Sequence, residues 1–89
     1  MKSRTSKQFR DLFDALPKAA QRQAIQAYRL FQADPVHPSL RLSRVHPTLP
    51  VYSTRVGIPY RVLGTRRGDE IVWFRIGTHG EYDKLLDQL

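Results

Sequence analysis

In the stretch I-G-T-H-G-E-Y-D-K-L-L, residues 76–86, a strand gives way to a helix within four positions, and His79 stands in the joint between Gly77 and Gly80. Thr78 and Glu81 have the spacing of a capping box, so the helix can start without help from the histidine. An imidazole free of that duty can move protons near neutral pH. At a helix N-terminus the positive end of the dipole disfavours imidazolium, which favours a base over an acid. Tyr82, three residues on, either faces the same site or packs beneath it, and Glu81 is a further carboxyl whose capping role already accounts for it.

The arginines suggest what such a base would act on. Residues 35–68 hold Arg41, Arg44, Arg55, Arg61, Arg66 and Arg67 and no carboxylate, within a chain of net charge +7. Residues 1–34 carry seven basic against three acidic side chains, and residues 69–89 two against five. A block of one sign is the footprint of a polyanion partner. The guanidinium fork also matches phosphate better than a lysine point charge does. Guanidinium groups can hold a phosphodiester and stabilise charge developing on it, while an imidazole takes the proton of an attacking 2′-hydroxyl.

These residues need a frame. Thr5-Ser6-Lys7-Gln8 has the form of a capping box with Thr5 as N-cap, and Phe9, Leu12, Phe13 and Leu16 follow at helical spacing. Pro17 ends that helix and opens the next, whose apolar stripe is Ala20, Ala24, Ala27, Tyr28 and Phe31, and Asp34-Pro35 closes it. The reading is a helical hairpin over about residues 5–34. Four strands follow, roughly 40–45, 51–56, 60–65 and 70–76, with turns at Gly57-Ile58-Pro59 and Arg66-Arg67-Gly68-Asp69. A short helix over about 79–89 ends the chain.

The expected class is therefore α+β, a helical hairpin packed on a curved four-stranded antiparallel sheet, in a single domain over residues 1–89. Alternation along the last strand sends Val72, Phe74 and Ile76 towards the hairpin and Ile71, Trp73 and Arg75 to the other face. The same rule turns Tyr52, Thr54, Val56, Tyr60 and Val62 inward, and Ser53, Arg55, Arg61 and Leu63 outward. Arg55, Arg61 and Arg75 then share one sheet face with Trp73, and His79 stands at its edge. Arg41 and Arg44 extend the phosphate-binding set.

The motif V-H-P-[ST]-L occurs twice, at 36–40 and 45–49. Zinc would need further ligands in defined geometry, and neither a cysteine nor an H-x-x-x-H pair is present; His37 and His46 read as loop residues. No cofactor or metal is implied. An 89-residue chain buries only roughly 60–65% of its unfolded surface, so a partner would complete its core. The longest apolar run, Ile71-Val72-Trp73-Phe74, is far short of a membrane span, and no signal-peptide h-region opens the chain. A soluble, cytoplasmic protein is expected.

Three segments in this order carry a resemblance: LPKAAQRQAIQAYRLFQADPVHPSLRLSRV, VYSTRVGIPYRVLG and IVWFRIGTHGEYDKLL. From about Phe9 to Leu86 the chain resembles the RelE/ParE superfamily of bacterial type II toxin–antitoxin toxins, in particular its ParE-like group. The resemblance implies two N-terminal helices against an antiparallel sheet with a C-terminal helix. For RelE-like members it further implies ribosome-dependent mRNA cleavage by basic residues on the sheet face and a residue near the end of the last strand. By this likeness Arg61 takes the place of a phosphate-contacting arginine, Arg55 falls near a lysine position, and His79 is similar to the proton-transferring histidine of YafQ-type toxins. There are departures: the paired lysines of the second strand are reduced to Ser53 and Arg55, and Tyr82 follows His79 more closely than the family's C-terminal tyrosine would. Arg75 stands where relatives carry an aromatic. ParE proteins share the fold and inhibit DNA gyrase by binding, so fold leaves the choice open. Either activity implies a cognate antitoxin, an acidic and partly disordered segment folding over the basic face.

Overall fold

The computed structural model describes all of residues 1–89. Strand β1 (Lys2–Thr5) leads into α1 (Lys7–Asp14) and α2 (Lys18–Ala33), and a 3-10 turn (Pro38–Leu40) precedes β2 (Ser43–Arg44). Strands β3 (Val51–Val56), β4 (Tyr60–Arg67) and β5 (Glu70–Thr78) follow, then α3 (His79–Gln88). The sheet has five strands in the order β1-β5-β4-β3-β2. All neighbours are antiparallel except β1, which runs parallel to β5.

The α+β class and the run from helices to sheet to terminal helix stand as expected, and four local readings are corrected. Strand β1 is an addition to the expected sheet: Lys-Ser-Arg-Thr has no apolar face to announce a strand, and its place is fixed by pairing with β5 and by an Arg4–Glu70 ion pair at 2.7 Å. Because Thr5 belongs to that strand, the N-cap of α1 is Ser6, whose hydroxyl accepts from Phe9 N at 3.1 Å. Strand β2 is only two residues long, since Pro38 starts a 3-10 turn and Leu40 is drawn into the core.

The fourth correction concerns β5. Leu63 pairs with Arg75 but Gly64 with Trp73, which leaves Phe74 without a partner. This bulge resets the alternation. Ile71 and Trp73 therefore face the helices together with Ile76, and all three are buried. They pack with Ala24 and Phe31 of α2, Leu40, Val56 and Val62, and the Phe31 and Trp73 rings meet edge to face at 5.3 Å. Trp73 is thus a core residue on the face opposite Arg75, and not the exposed aromatic beside the arginines that unbroken alternation gives. Gly64 lies under its ring: a Cβ there would stand 2.5 Å from Trp73 Cε3.

The two V-H-P-[ST]-L motifs are matching turns. Each imidazole Nδ1 accepts the backbone N–H two residues on, Ser39 N to His37 and Thr48 N to His46, both at 3.2 Å. His46 Nδ1 also accepts from Leu49 N at 2.9 Å, so its proton lies on Nε2, which donates to the Leu89 backbone oxygen at 3.1 Å. Helix α3 is in this way tied to the β2–β3 loop while it packs against β4 and β5. No helix is long and apolar enough to cross a membrane.

Candidate nucleic-acid interface

Cross-strand pairing sets the basic face. Arg55 on β3 pairs with Arg61 on β4, which pairs with Gly77 on β5; in the next row Ser53, Leu63 and Arg75 are neighbours. Directly paired residues point to the same side of a sheet, so Arg55, Arg61 and Arg75 share one face as the alternation predicts. They do not share one pocket. Arg61 and Arg75 line a cleft of about 210 Å³ where β4 and β5 meet α3, together with Tyr82, Glu81, Lys84 and Leu63. Arg55 and Arg41 line a separate, broader basin of about 710 Å³ bounded by α2 and the β3–β4 turn. Arg44 lies outside both, and its guanidinium donates to Thr48 O within its own loop. Arg66 donates to Gly68 O and lies 5.5 Å from the centre of the Tyr52 ring.

The cleft is electrostatically unbalanced. The two ion pairs of the chain, Arg4–Glu70 and Lys7–Asp11, are elsewhere. Glu81 is the one carboxylate of the cleft lining, and it is engaged by the cap: Thr78 N donates to Oε1 at 3.2 Å and Thr78 Oγ1 at 2.9 Å, while Thr78 Oγ1 accepts from Glu81 N. The Thr78 backbone hydrogen bond, then the Thr78 hydroxyl, and then the charges of Arg75 and Lys84 hold the Glu81 carboxyl below its ordinary value of 4.5. At neutral pH it is an ionised acceptor without a proton to give. Arg61 Nε, by contrast, is buried with no hydrogen-bond partner. A donor left unmatched in a protein interior costs free energy, and Arg61 carries that cost in the cleft wall.

His79 is exposed at the first position of α3 and does not line the cleft. It reaches the cleft through Tyr82, whose ring is edge to face with the imidazole at 6.2 Å. The sequence left two orientations open for Tyr82, and it lies half-buried in the cleft wall. Lys84, which reads along the sequence as a solvated helix residue, joins the same wall, and only the packing of α3 on the sheet could reveal that. A third recess of about 320 Å³ lies between the helices over the other sheet face. Phe9, Phe13, Phe31 and Trp73 make its lining mainly apolar, and the exposed Arg10 and Arg29 are its charged residues.

The cap yields a prediction. Thr78→Ala should cost about 1 kcal/mol of helix stability and speed amide exchange in the first turn of α3. Because the Glu81 carboxyl is held low, its part of the cap is present above the ordinary carboxylate range and is lost as pH falls through the lowered value. Protection factors of the first-turn amides of α3, followed downward from pH 6, should therefore fall in the wild type as Glu81 is protonated, and Glu81→Gln should flatten that dependence.

Among solved structures, the chain is similar to RelE in the archaeal RelE–RelB complex from Pyrococcus horikoshii OT3, with 21% identity, 89% of this chain and 94% of that one covered, and a TM-score of 0.70. The RelB–RelE antitoxin–toxin complex from Methanococcus jannaschii matches with 17% identity, coverage of 91% and 95%, and a TM-score of 0.73. YafQ from E. coli strain BL21(DE3) matches with 12% identity, coverage of 91% and 96%, and a TM-score of 0.72. At such identities the likeness is one of fold. Comparison with curated proteins finds no match. The family model described as a ParE-like toxin domain matches residues 18–84, from the start of α2 to the middle of α3. With that match spanning most of the chain, the protein belongs to the ParE-like toxin family.

Proposed function

We propose that the protein is the toxin of a toxin–antitoxin module and acts as a ribosome-dependent mRNA endoribonuclease, with the cleft between β4, β5 and α3 as its site. The observation that carries this reading is the convergence of Arg61, Arg75 and Tyr82 on one cleft, with Arg61 Nε buried and unpartnered there. In RNA cleavage the 2′-hydroxyl attacks the adjacent phosphorus and the P–O5′ bond breaks, leaving a cyclic phosphate and a 5′-hydroxyl. Arg61 and Arg75 hold the non-bridging oxygens, where negative charge grows. His79 takes the 2′-proton, and the phenol of Tyr82 gives one to the departing oxygen. Glu81 is unsuited to the acid role because Thr78 keeps it ionised. The ribosome supplies the positioning of mRNA that an open cleft of this size does not. A cognate antitoxin with an acidic segment would neutralise the basic face, and RelE is found with RelB in two of the similar structures.

One observation favours a second reading, inhibition of DNA gyrase by binding alone: His79 lies outside the cleft lining and touches it only through Tyr82. The two readings separate when purified protein is added in parallel to programmed ribosomes and to a gyrase supercoiling reaction. Codon-phased mRNA ends with unimpaired supercoiling are expected. Intact mRNA with blocked supercoiling would replace the first reading with the second. His79→Ala should lower the cleavage rate by roughly 100-fold or more if the imidazole is the base.

A further inference from the structure

The basin beside the cleft holds a feature that the folding of this chain does not require. Arg41 closes the Pro38–Leu40 turn in the left-handed region, at φ 48° and ψ 45°, and it is the one residue other than glycine with positive φ. Glycine adopts that conformation without penalty, and a side chain with a Cβ resists it. The position is exposed, so no packing of the arginine offsets the cost. Arg55, across the basin, is directly opposite Arg61 in the β3–β4 ladder. Like charges paired this way destabilise a sheet, and residues 35–68 contain no carboxylate to relieve them. The basin lining also has none, and Gln23 and Gln26 of α2 supply its other polar side chains together with Ser39. Arg41 and Arg55 thus occupy positions that carry a folding penalty and lack an internal counter-charge. Residues kept in strained conformations against local preference mark sites of use.

We propose that the Arg41–Arg55 basin is a second phosphate-binding subsite, which holds the backbone of an RNA strand one sheet position over from the Arg61–Arg75 cleft. The Arg55–Arg61 pair joins the two, so that a track runs from Arg41, in the loop before β2, through Arg55 on β3 and Arg61 on β4 to Arg75 on β5. This rests on the RNA reading of the cleft and extends it: the chain grips its substrate beyond the cleaved phosphate. An acidic protein helix suits the basin less well, since Ile58, 78% exposed, is the one large apolar side chain it presents to solvent.

The test is binding of the full chain to a labelled single-stranded RNA twelve nucleotides long across a salt series, with thermal unfolding measured on the same samples. The variants are Arg41→Gly and Arg55→Gln. Each should weaken binding roughly fivefold to tenfold and reduce the slope of log K against log salt by about 0.7, the value of one single-strand phosphate contact. Arg41→Gly should also melt at or above the wild-type temperature, so its lost affinity cannot come from a damaged fold. Wild-type affinity and slope in both variants would overturn the subsite, as would a wild type that does not bind the RNA. Equal loss of affinity for a polyglutamate peptide, with RNA binding intact, would assign the basin to an acidic protein instead. Ribosome cleavage assays separate the two levels. Cleavage with unaltered slopes removes the subsite and keeps the proposed activity, whereas reduced slopes without wild-type cleavage keep the subsite and remove the activity.

Discussion

Arg61→Met is expected to remove cleavage while making the protein more stable. Losing one preorganised donor to a developing oxyanion lowers turnover by roughly 100- to 1000-fold, and Arg61, half-buried like Arg75, is one of the two arginines proposed for that duty. Its Nε has no partner, and the guanidinium stands opposite Arg55 in the ladder. Methionine retains much of the apolar stem and relieves both penalties. A gain of about 1 kcal/mol is expected, which for a chain of this size raises Tm by about 4–8 °C. Urea titration beside the ribosome assay checks both halves. Loss of activity accompanied by loss of stability would show that Arg61 supports the fold and would weaken its role in the cleft.

Gly64→Ala is the stability prediction of largest size. The added methyl would lie 2.5 Å from Trp73 Cε3 and 2.9 Å from Ile71 Cγ1. Neither neighbour can yield: Ile71 is fully buried, and Trp73 is wedged against Phe31. Overpacking at such a point costs about 3 kcal/mol, or a fall in Tm of about 12–24 °C. Gly68 provides the comparison. A Cβ there meets nothing within 4 Å, so Gly68→Ala should cost only the left-handed backbone penalty at φ 57°, about 1 kcal/mol. Equal Tm values for the two variants would contradict the account of how the bulge seats Trp73 over Gly64.

Legibility in the sequence followed the strength of the local signal. Helix α2 and strands β3, β4 and β5 have clear apolar periodicity and turn residues at their ends, and they appear close to their expected limits. The Thr78–Glu81 capping box is present with both of its hydrogen bonds. Strand β1 was invisible because a polar edge strand is made by its neighbour and not by its own pattern. The bulge at Phe74 was invisible for another reason: either phase of I-V-W-F-R-I gives an apolar face, and only the pairing with β4 selects between them. That one residue exchanged Trp73 for Phe74 and Ile71 for Val72 on the helix side, yet it left Arg75 and Ile76 where unbroken alternation had put them. The basic face therefore survived the error. Its division into a cleft and a basin, and the entry of Lys84 into the cleft, depend on where α3 and α2 lie on the sheet, which no periodicity encodes.

A single-turnover assay distinguishes cleavage of ribosome-bound mRNA in the β4–β5–α3 cleft from binding alone. Programmed ribosomes carrying end-labelled mRNA would be mixed with wild-type protein, Arg61→Met or Gly68→Ala, and the ends mapped with time. Codon-phased ends ahead of the 3′ terminus are expected for the wild type and for Gly68→Ala, with no cutting of the same mRNA without ribosomes and a rate at least roughly 100-fold lower for Arg61→Met. Wild-type rates from Arg61→Met, or intact mRNA with the wild type itself, would contradict cleavage in this cleft.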